Sequence, residues 1–237
     1  MTVDNVHIEE EKESQPTILQ EKEPSSFRLI SSLGIAGFFS GLVLVSVYVF
    51  TQPLIEANRA EALQNAIFKV LPACESFVTL QLRDGKLIEL KQKKEGEKSS
   101  KQEKEVKQIF AGYDKENKFV GFAIPGSETG FQDVIVALFG YDSDAKVIIG
   151  FEVLESKETP GLGDKIFKDA DFQLNFEALA VEPEIISVKN GEKKNNNEVE
   201  SITGATISSK AIVRLLNNTM DIYKSPINEY LNDQAND

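Results

Sequence analysis

The chain is poor in three residue types: its 237 residues include no tryptophan, one cysteine and one histidine. A single cysteine, Cys74, cannot form an internal disulfide or hold an iron–sulfur cluster by itself. We expect it to be a small buried residue near the turn at Pro72. The single histidine, His7, lies in an acidic N-terminal segment, which disfavours a catalytic histidine or a zinc site. Chemistry in this protein must therefore come from a cofactor.

Basic residues are also scarce relative to acidic ones. The chain has 26 Lys and Arg against 38 Asp and Glu, a formal net charge of −12. Binding to nucleic acid requires an excess of positive charge on one face, and no basic stretch with interleaved aromatic residues is present. We expect no nucleic-acid partner. Residues Lys91 to Lys107 mix both charge signs and predict a solvated loop or a short exposed helix.

One long segment lacks charge altogether. The run from Leu29 to Ile55 would span about 40 Å as a helix, more than the hydrocarbon core of a bilayer. This predicts a single transmembrane helix over residues 28–55. A cleaved signal peptide is the alternative, but the acidic leader is long and the apolar run exceeds a typical signal core. Gly37 and Gly41 have the spacing that lets another helix approach closely.

The rest of the chain divides into a tail, a stem and a domain. Residues 1–27 have almost no apolar pattern and are predicted to be disordered. Helical spacing predicts a stem over residues 56–72, which Pro72 ends. The globular domain is predicted over residues 73–224, followed by a C-terminal tail at 225–237.

Within the domain, apolar alternation predicts strands and only a few helices. Asp84-Gly85 between two apolar runs predicts a hairpin. The predicted strands are Val78 to Leu82, Leu87 to Leu90, Phe119 to Ile124, Val134 to Tyr141, Val147 to Leu154 and Ile185 to Val188. A helix is predicted over Ala170 to Leu179. Short connections favour antiparallel neighbours, and strands that mostly precede a final helix predict an α+β fold with an antiparallel sheet.

The stretch S-I-T-G-A-T-I-S-S at residues 201–209 places several hydroxyl groups where a helix begins. The helix is predicted from apolar residues at three- and four-residue steps, namely Ile207, Ala211, Ile212, Leu215, Leu216, Thr219 and Ile222. A helix N-terminus presents unpaired N–H groups and a positive dipole end, which favour a phosphate. Ser and Thr are also ordinary N-caps, so the segment alone leaves both interpretations open.

A second motif, K-E-T-P-G-L-G-D-K-I, lies at residues 157–166. Pro160 restricts one backbone angle, while Gly161 and Gly163 permit left-handed conformations and the close approach of a flat ring. Taken alone, the motif is also consistent with a simple turn after a strand.

Together the two motifs resemble those of the covalent FMN-binding domain found in membrane redox complexes. In that family the last Thr of S/T-G-A-T carries FMN through a phosphoester, and the corresponding residue here is Thr206. The resemblance implies that Thr203, Gly204 and Ala205 shape the phosphate-binding turn. It also implies that four residues border the flavin ring: Glu158, Thr159, Gly161 and Leu162.

Two positions depart from the family pattern. Members usually have Asp six residues before the modified Thr, in the pattern read by the flavin transferase that attaches FMN, and this chain has Glu200. Many members have His before the E-T-P-G-L-G segment, where this chain has Ser156.

The order of a membrane helix, a stem, a hairpin and the two motifs resembles the G subunit of Rnf electron-transport complexes over residues 30–222. The C subunit of the sodium-translocating NADH:quinone oxidoreductase shares both motifs, but Asp164-Lys165-Ile166 and the chain length favour the G subunit. The resemblance implies a protein that relays electrons in a complex coupling ferredoxin and NAD oxidoreduction to ion transport. This protein would not be catalytic alone.

The same resemblance implies the surroundings of the protein. Its partners would be the other membrane and peripheral subunits of the complex and the flavin transferase. It would lie in the bacterial inner membrane as a single-pass protein, with the FMN domain on the outer, periplasmic face. The alternative from another class is a membrane-anchored, non-redox binding or scaffolding protein whose hydroxyl motif only caps a helix.

Overall fold

The computed structural model describes residues 25–90 and 107–235. They fall into two compact units, which divide between Ile55 and Glu56. The predictions for the first 24 residues and for nearly all of the charged loop, residues 91–106, lie outside the described residues.

Helix α1, Ser26–Val70, accounts for nearly all of the first unit that the structure describes and continues into the second. In the first unit its apolar side chains, from Phe27 to Ile55, are almost all exposed. The segment is long and apolar enough to cross a membrane. The sequence predicted a separate transmembrane helix and stem, whereas α1 continues through Pro53 without a break.

The second unit is built on a seven-stranded antiparallel sheet of order β2-β1-β3-β4-β5-β6-β7. The strands are β1 Ser76–Arg83, β2 Lys86–Glu89, β3 Gln108–Tyr113, β4 Phe119–Thr129, β5 Val134–Asp142, β6 Val147–Glu155 and β7 Leu179–Ala180. Asp84 and Gly85 both have positive φ, at 49° and 84°, as a two-residue hairpin turn requires. The predicted hairpin and α+β fold are confirmed.

Several elements differ from the prediction. Strand β3 was not predicted, although it lies between β1 and β4 and its central residues are buried. The predicted helix over Ala170 to Leu179 is wrong in its second half. Within that range only α3, Ala170–Leu174, is helical, and Leu179 pairs with β6, together with Ala180, as strand β7. A further short helix, α2, spans Lys165–Lys168 just before α3.

A small two-stranded sheet leads into the hydroxyl motif. Strand β8, Ile186–Lys189, was predicted, and it pairs in parallel with β9, Glu198–Ser201, which was not. The Ser187 and Ser201 hydroxyls join the two strands at 2.6 Å. Because β9 ends at Ser201, this pairing positions the start of the motif.

Helix α4, Thr206–Ala235, covers one face of the large sheet. Five of the seven residues of the predicted face are buried, whereas Ile207 and Ile222 are exposed and Ser208 and Ser209 are buried as well. Residues 225–235, predicted as part of a tail, continue the helix and bury Ile227. Their packing against β2 explains the extension, since Tyr230 donates a hydrogen bond to Glu89 at 3.1 Å.

The end of α1 covers the opposite face of the sheet, where Cys74 is buried as predicted. Four glycines on neighbouring strands let the chain approach closely: Gly112, Gly121, Gly140 and Gly150. A Cβ on Gly140 would overlap the carbonyl oxygen of Val70, and one on Gly150 would lie 2.7 Å from the Val70 Cα. The backbone of α1 therefore rests directly on the backbone of β5 and β6.

Candidate functional site

The G-A-T motif forms a tight turn at the N-terminus of α4. Gly204 has a φ of +87°, in the left-handed region that favours glycine, and the Ala205 N–H donates to the Ile202 carbonyl at 3.0 Å. Ala205 is buried, whereas Thr203 and Thr206 are exposed. The turn thus presents two threonines to solvent beside the free N–H groups of a helix start.

Of the four hydroxyls from Thr203 to Ser209, the two serines are hydrogen-bonded within the described residues and the two threonines are not. Ser209 Oγ accepts from the Ile202 N–H at 3.1 Å and donates to the Ala205 carbonyl at 3.0 Å. Ser208 Oγ donates to Glu158 Oε2 at 2.5 Å. Within residues 25–90 and 107–235, neither the Thr203 nor the Thr206 hydroxyl has a hydrogen-bond partner. The serines therefore stabilise the turn, and Thr206 remains available for another role.

Glu158 joins three segments that are distant in sequence. Its Oε1 accepts from the backbone N–H groups of Phe131 at 2.9 Å and Gln132 at 3.0 Å, while Oε2 accepts from Ser208. The residue is only 6% exposed. Burial raises the pKa of Glu158, but the hydrogen bonds together outweigh burial and hold that pKa below its usual value. The carboxylate is therefore ionised at neutral pH.

Two glycines make room for this arrangement, and a third supplies a backbone conformation. A Cβ on Gly130 would overlap Glu158 Oε1, and a Cβ on Gly163 would lie 2.7 Å from Oε2 and 3.2 Å from the Ser208 hydroxyl. Gly161 is required for another reason, since its φ is +78° while the space around it is open. The G-L-G part of the second motif is thus explained by one close contact and one backbone conformation.

A cavity of about 290 Å³ lies where these segments meet. It is lined by Phe131, Glu158, Thr159, Leu162, Gly163, Gly204, Ala205, Thr206, Ile207 and Ser208. Three large apolar side chains of the lining are exposed: Phe131 at 63%, Leu162 at 49% and Ile207 at 52%. Exposed apolar groups around one cavity are typical of a ligand site.

The structure brings six of the eight predicted site residues to this cavity. Thr203 and Gly161 are not among its lining residues. Thr203 lies instead on the other side of the turn, where it borders a second cavity of about 680 Å³ together with Thr206 and Lys210. Sequence reasoning missed Phe131, Ile207 and Ser208 as lining residues. The signal that could have found Phe131 is an apolar residue directly after Gly130, between the predicted strands that end at Ile124 and begin at Val134.

The two positions that depart from the family pattern have local structural roles. Glu200 Oε1 accepts from the backbone N–H groups of Gly191 at 2.9 Å and Lys193 at 3.3 Å, so it stabilises the turn between β8 and β9. Ser156 Oγ accepts from the Glu158 N–H at 3.3 Å. Both side chains therefore stabilise segments that lead into the site.

Comparison with known proteins identifies the class of domain to which this site belongs. Residues 130–221, which include every residue lining the cavity, match the FMN-binding domain family. Two solved structures share the fold: NqrC from Shewanella oneidensis and the C subunit of the Na⁺-translocating NADH-quinone reductase from Parabacteroides distasonis. Their TM-scores are 0.57 and 0.55 at 16% and 18% identity, over 73% and 71% of this chain and 98% and 94% of theirs. The fold and the match define an FMN-binding domain that follows an apolar N-terminal helix.

Relatives found by sequence similarity point to one type of subunit. The G subunit of an ion-translocating oxidoreductase complex from Methanosarcina acetivorans is 27% identical, over 82% of this chain and 92% of the relative. The G subunit of the Na⁺-translocating ferredoxin:NAD⁺ oxidoreductase of Acetobacterium woodii is 26% identical, over 87% and 97%. The G subunit of the proton-translocating complex of Clostridium ljungdahlii is 28% identical, over 82% and 90%. The chain is a homologue of these G subunits, and the predicted resemblance is confirmed.

Proposed function

We propose that the chain is the flavin-carrying G subunit of an ion-translocating, Rnf-type ferredoxin:NAD oxidoreductase and relays electrons through FMN esterified to Thr206. The observation that carries the proposal is the Thr206 hydroxyl, which is exposed at the N-terminus of α4 beside an apolar cavity. Among the described residues it has no hydrogen-bond partner. Relatives named as G subunits, which align with 82–87% of the chain, support the assignment to this type of complex.

The site fits a phosphoester in its chemistry. The helix start provides N–H groups and a positive dipole end, which stabilise the single negative charge of a phosphodiester. The new bond joins Thr206 Oγ to the phosphorus of the FMN group, and the hydroxyl loses its proton. A flavin dinucleotide suits as donor: the P–O bond of its pyrophosphate bridge breaks, and the nucleoside monophosphate leaves while the hydroxyl proton is released. A flavin transferase is the partner that catalyses this step.

The cavity fits the apolar ring of a flavin. Phe131, Leu162 and Ile207 provide exposed apolar surface around it. When bound, the flavin supplies the redox chemistry, and the protein positions it and sets its electrostatic environment. Thr203 lies outside this cavity, and we assign it to the shape of the turn.

Helix α1 is the membrane anchor in this proposal, and the FMN domain lies on the outer face of the cytoplasmic membrane. A covalent link suits a domain facing an aqueous compartment, where a dissociable cofactor would be lost by dilution. The other subunits of the complex supply and accept the electrons, so this chain does not oxidise NADH alone. Likeness to the two quinone-reductase structures supports the fold, whereas the relatives matched over most of the chain favour the G subunit.

The test is covalent labelling of the full chain. We expect the protein, expressed with a flavin transferase, to give a fluorescent band on a denaturing gel. Thr206→Val should abolish this band, while Thr203→Val, an exposed threonine three residues away, should retain it. Loss of the band only in Thr203→Val would move the anchor to Thr203. A wild-type chain without fluorescence would refute the flavoprotein proposal and favour a scaffolding protein.

A further inference from the structure

Among the described residues, Glu158 is the only acidic one that lines the cavity of about 290 Å³, which Thr206 also borders. It is 6% exposed, and its charge is stabilised by two backbone N–H groups and one hydroxyl. A buried carboxylate that is not paired with a basic side chain places a full negative charge at the cavity wall. A neutral glutamine could accept the two backbone hydrogen bonds through its oxygen and donate from its NH2 group to the Ser208 oxygen, so the position can be filled without a charge.

From this geometry we propose that Glu158 sets the reduction potential of the flavin by holding a fixed negative charge at the wall of its cavity. The inference rests on the proposed function. Adding two electrons and one proton to a flavin leaves it with one more negative charge than before. A neighbouring carboxylate disfavours that product, because like charges in a partly dehydrated site repel more strongly than in water. The flavin is thereby held at a lower potential.

The hydrogen bonds of Glu158 explain how the charge persists next to a redox centre. Oε1 accepts from two amides of the turn after β4, and Oε2 accepts from Ser208, two residues after Thr206. A Cβ on Gly130 or Gly163 would collide with the carboxylate, so both glycines are needed for the Glu158 side chain to occupy this position. These contacts disfavour protonation, so the charge stays on the carboxylate when electrons arrive.

Two variants distinguish an effect of the Glu158 charge from an effect of losing its hydrogen bond to Ser208. Both variants alter that hydrogen bond, but only one removes the charge. Glu158→Gln removes the charge and retains hydrogen-bonding groups, so the midpoint potential should rise. Ser208→Ala retains the charge but removes the hydroxyl that partly neutralises it, so the potential should fall. A purely structural role predicts shifts in the same direction for both. Shifts of opposite sign are therefore the signature of charge.

A matched control is available in Glu198 of β9. This carboxylate is also buried, and it also accepts two backbone N–H groups, from Lys194 at 2.6 Å and Asn195 at 3.1 Å. It does not line the cavity. Glu198→Gln should therefore leave the potential unchanged while removing a buried charge of the same kind.

The measurement is a redox titration at pH 8 of the full chain, labelled covalently by a flavin transferase and reduced with dithionite. We expect Glu158→Gln to favour reduction by at least about tenfold, which is about 30 mV for a two-electron couple.

An unchanged potential, or an equal shift in Glu198→Gln, would overturn the inference. If Glu158→Gln does not become labelled with flavin, the potential of Ser208→Ala tests the inference instead. A potential lower than that of the wild type supports the role of charge, and an equal or higher one refutes it. A wild-type chain without fluorescence refutes the proposed function itself, whereas normal labelling with unchanged potentials refutes only this inference.

Discussion

The packing of α1 against the sheet predicts that Gly140→Ala is strongly destabilising. The new Cβ would overlap the carbonyl oxygen of Val70 and lie 2.9 Å from its carbonyl carbon and 3.1 Å from Leu71 Cδ2. Val70 and Leu71 are fully buried. The obstacle is backbone at the end of a helix, so it cannot be relieved by a change of rotamer. The end of α1 must move away from β5.

Overpacking of a buried site costs about 1–3 kcal/mol, and a backbone clash belongs at the upper end, about 3 kcal/mol. Replacing glycine by alanine also restricts the unfolded chain, which offsets about 0.4–1 kcal/mol. The net loss is about 2 kcal/mol. For a domain of this size, that corresponds to a decrease of about 4–8 °C in the melting temperature.

Gly112→Ala is the matched control on the same face of the sheet. There a Cβ would meet the ends of side chains, 2.7 Å from Leu71 Cδ1 and 3.0 Å from Cys74 Sγ, and these can move. We expect a cost of about 1 kcal/mol or less. Thermal unfolding of the full chain in detergent, followed by near-ultraviolet circular dichroism of its five tyrosines, compares the variants. If Gly140→Ala melts no lower than Gly112→Ala, the direct contact between backbones does not hold α1 in place.

Two further predictions concern α4 and a buried carboxylate. Ile227→Ala, at a fully buried position, should lower the free energy of unfolding measured with denaturant by about 2–5 kcal/mol. Ile222→Ala, at an exposed position of the same helix, should change it by less than about 0.5 kcal/mol. Equal effects would show that residues 225–235 do not pack on the domain. Hydrogen bonds from the Lys194 and Asn195 N–H groups lower the pKa of Glu198, so its contribution to stability is present above about pH 4 and is lost as the pH falls through the lowered pKa. Melting temperatures between pH 3 and 7 should therefore fall less steeply on the acid side for Glu198→Gln, and parallel profiles would contradict this.

Elements defined by local patterns were predicted well. The hairpin depends on Asp84 and Gly85, which adopt positive φ wherever the flanking strands lie. The long apolar helix and three strands of the sheet follow from composition and alternation alone. The two-residue strand β7 was missed because its pairing partner β6 lies about thirty residues earlier in the chain. Strand β9 was missed because it is four residues long and pairs in parallel with β8, which no local alternation signals.

In the candidate site, too, features set by local patterns were predicted and features set by distant contacts were missed. The resemblance of the two motifs to a known family predicted Thr206 and Glu158 as site residues, and both line the cavity. The motifs could not identify Ser208 as the partner of Glu158, because the two residues are fifty positions apart and meet only when α4 packs on the sheet. Phe131 was missed for the same reason, since it reaches the cavity through a turn that Glu158 holds from another segment.

The sequence by itself determined the apolar helix and the α+β character of the domain, because each depends on residue types within a short stretch. The FMN cofactor was implied by the resemblance of two motifs to a known family, and the match of residues 130–221 supports it. Only the tertiary structure decided which groups of the hydroxyl motif are already used and which remain free. Ser208 and Ser209 are engaged because folding buries them against Glu158 and the Ile202–Ala205 turn. Thr206 stays exposed because the same helix turns it away from the core. That difference arises from the direction in which α4 lies on the sheet, which no local pattern encodes.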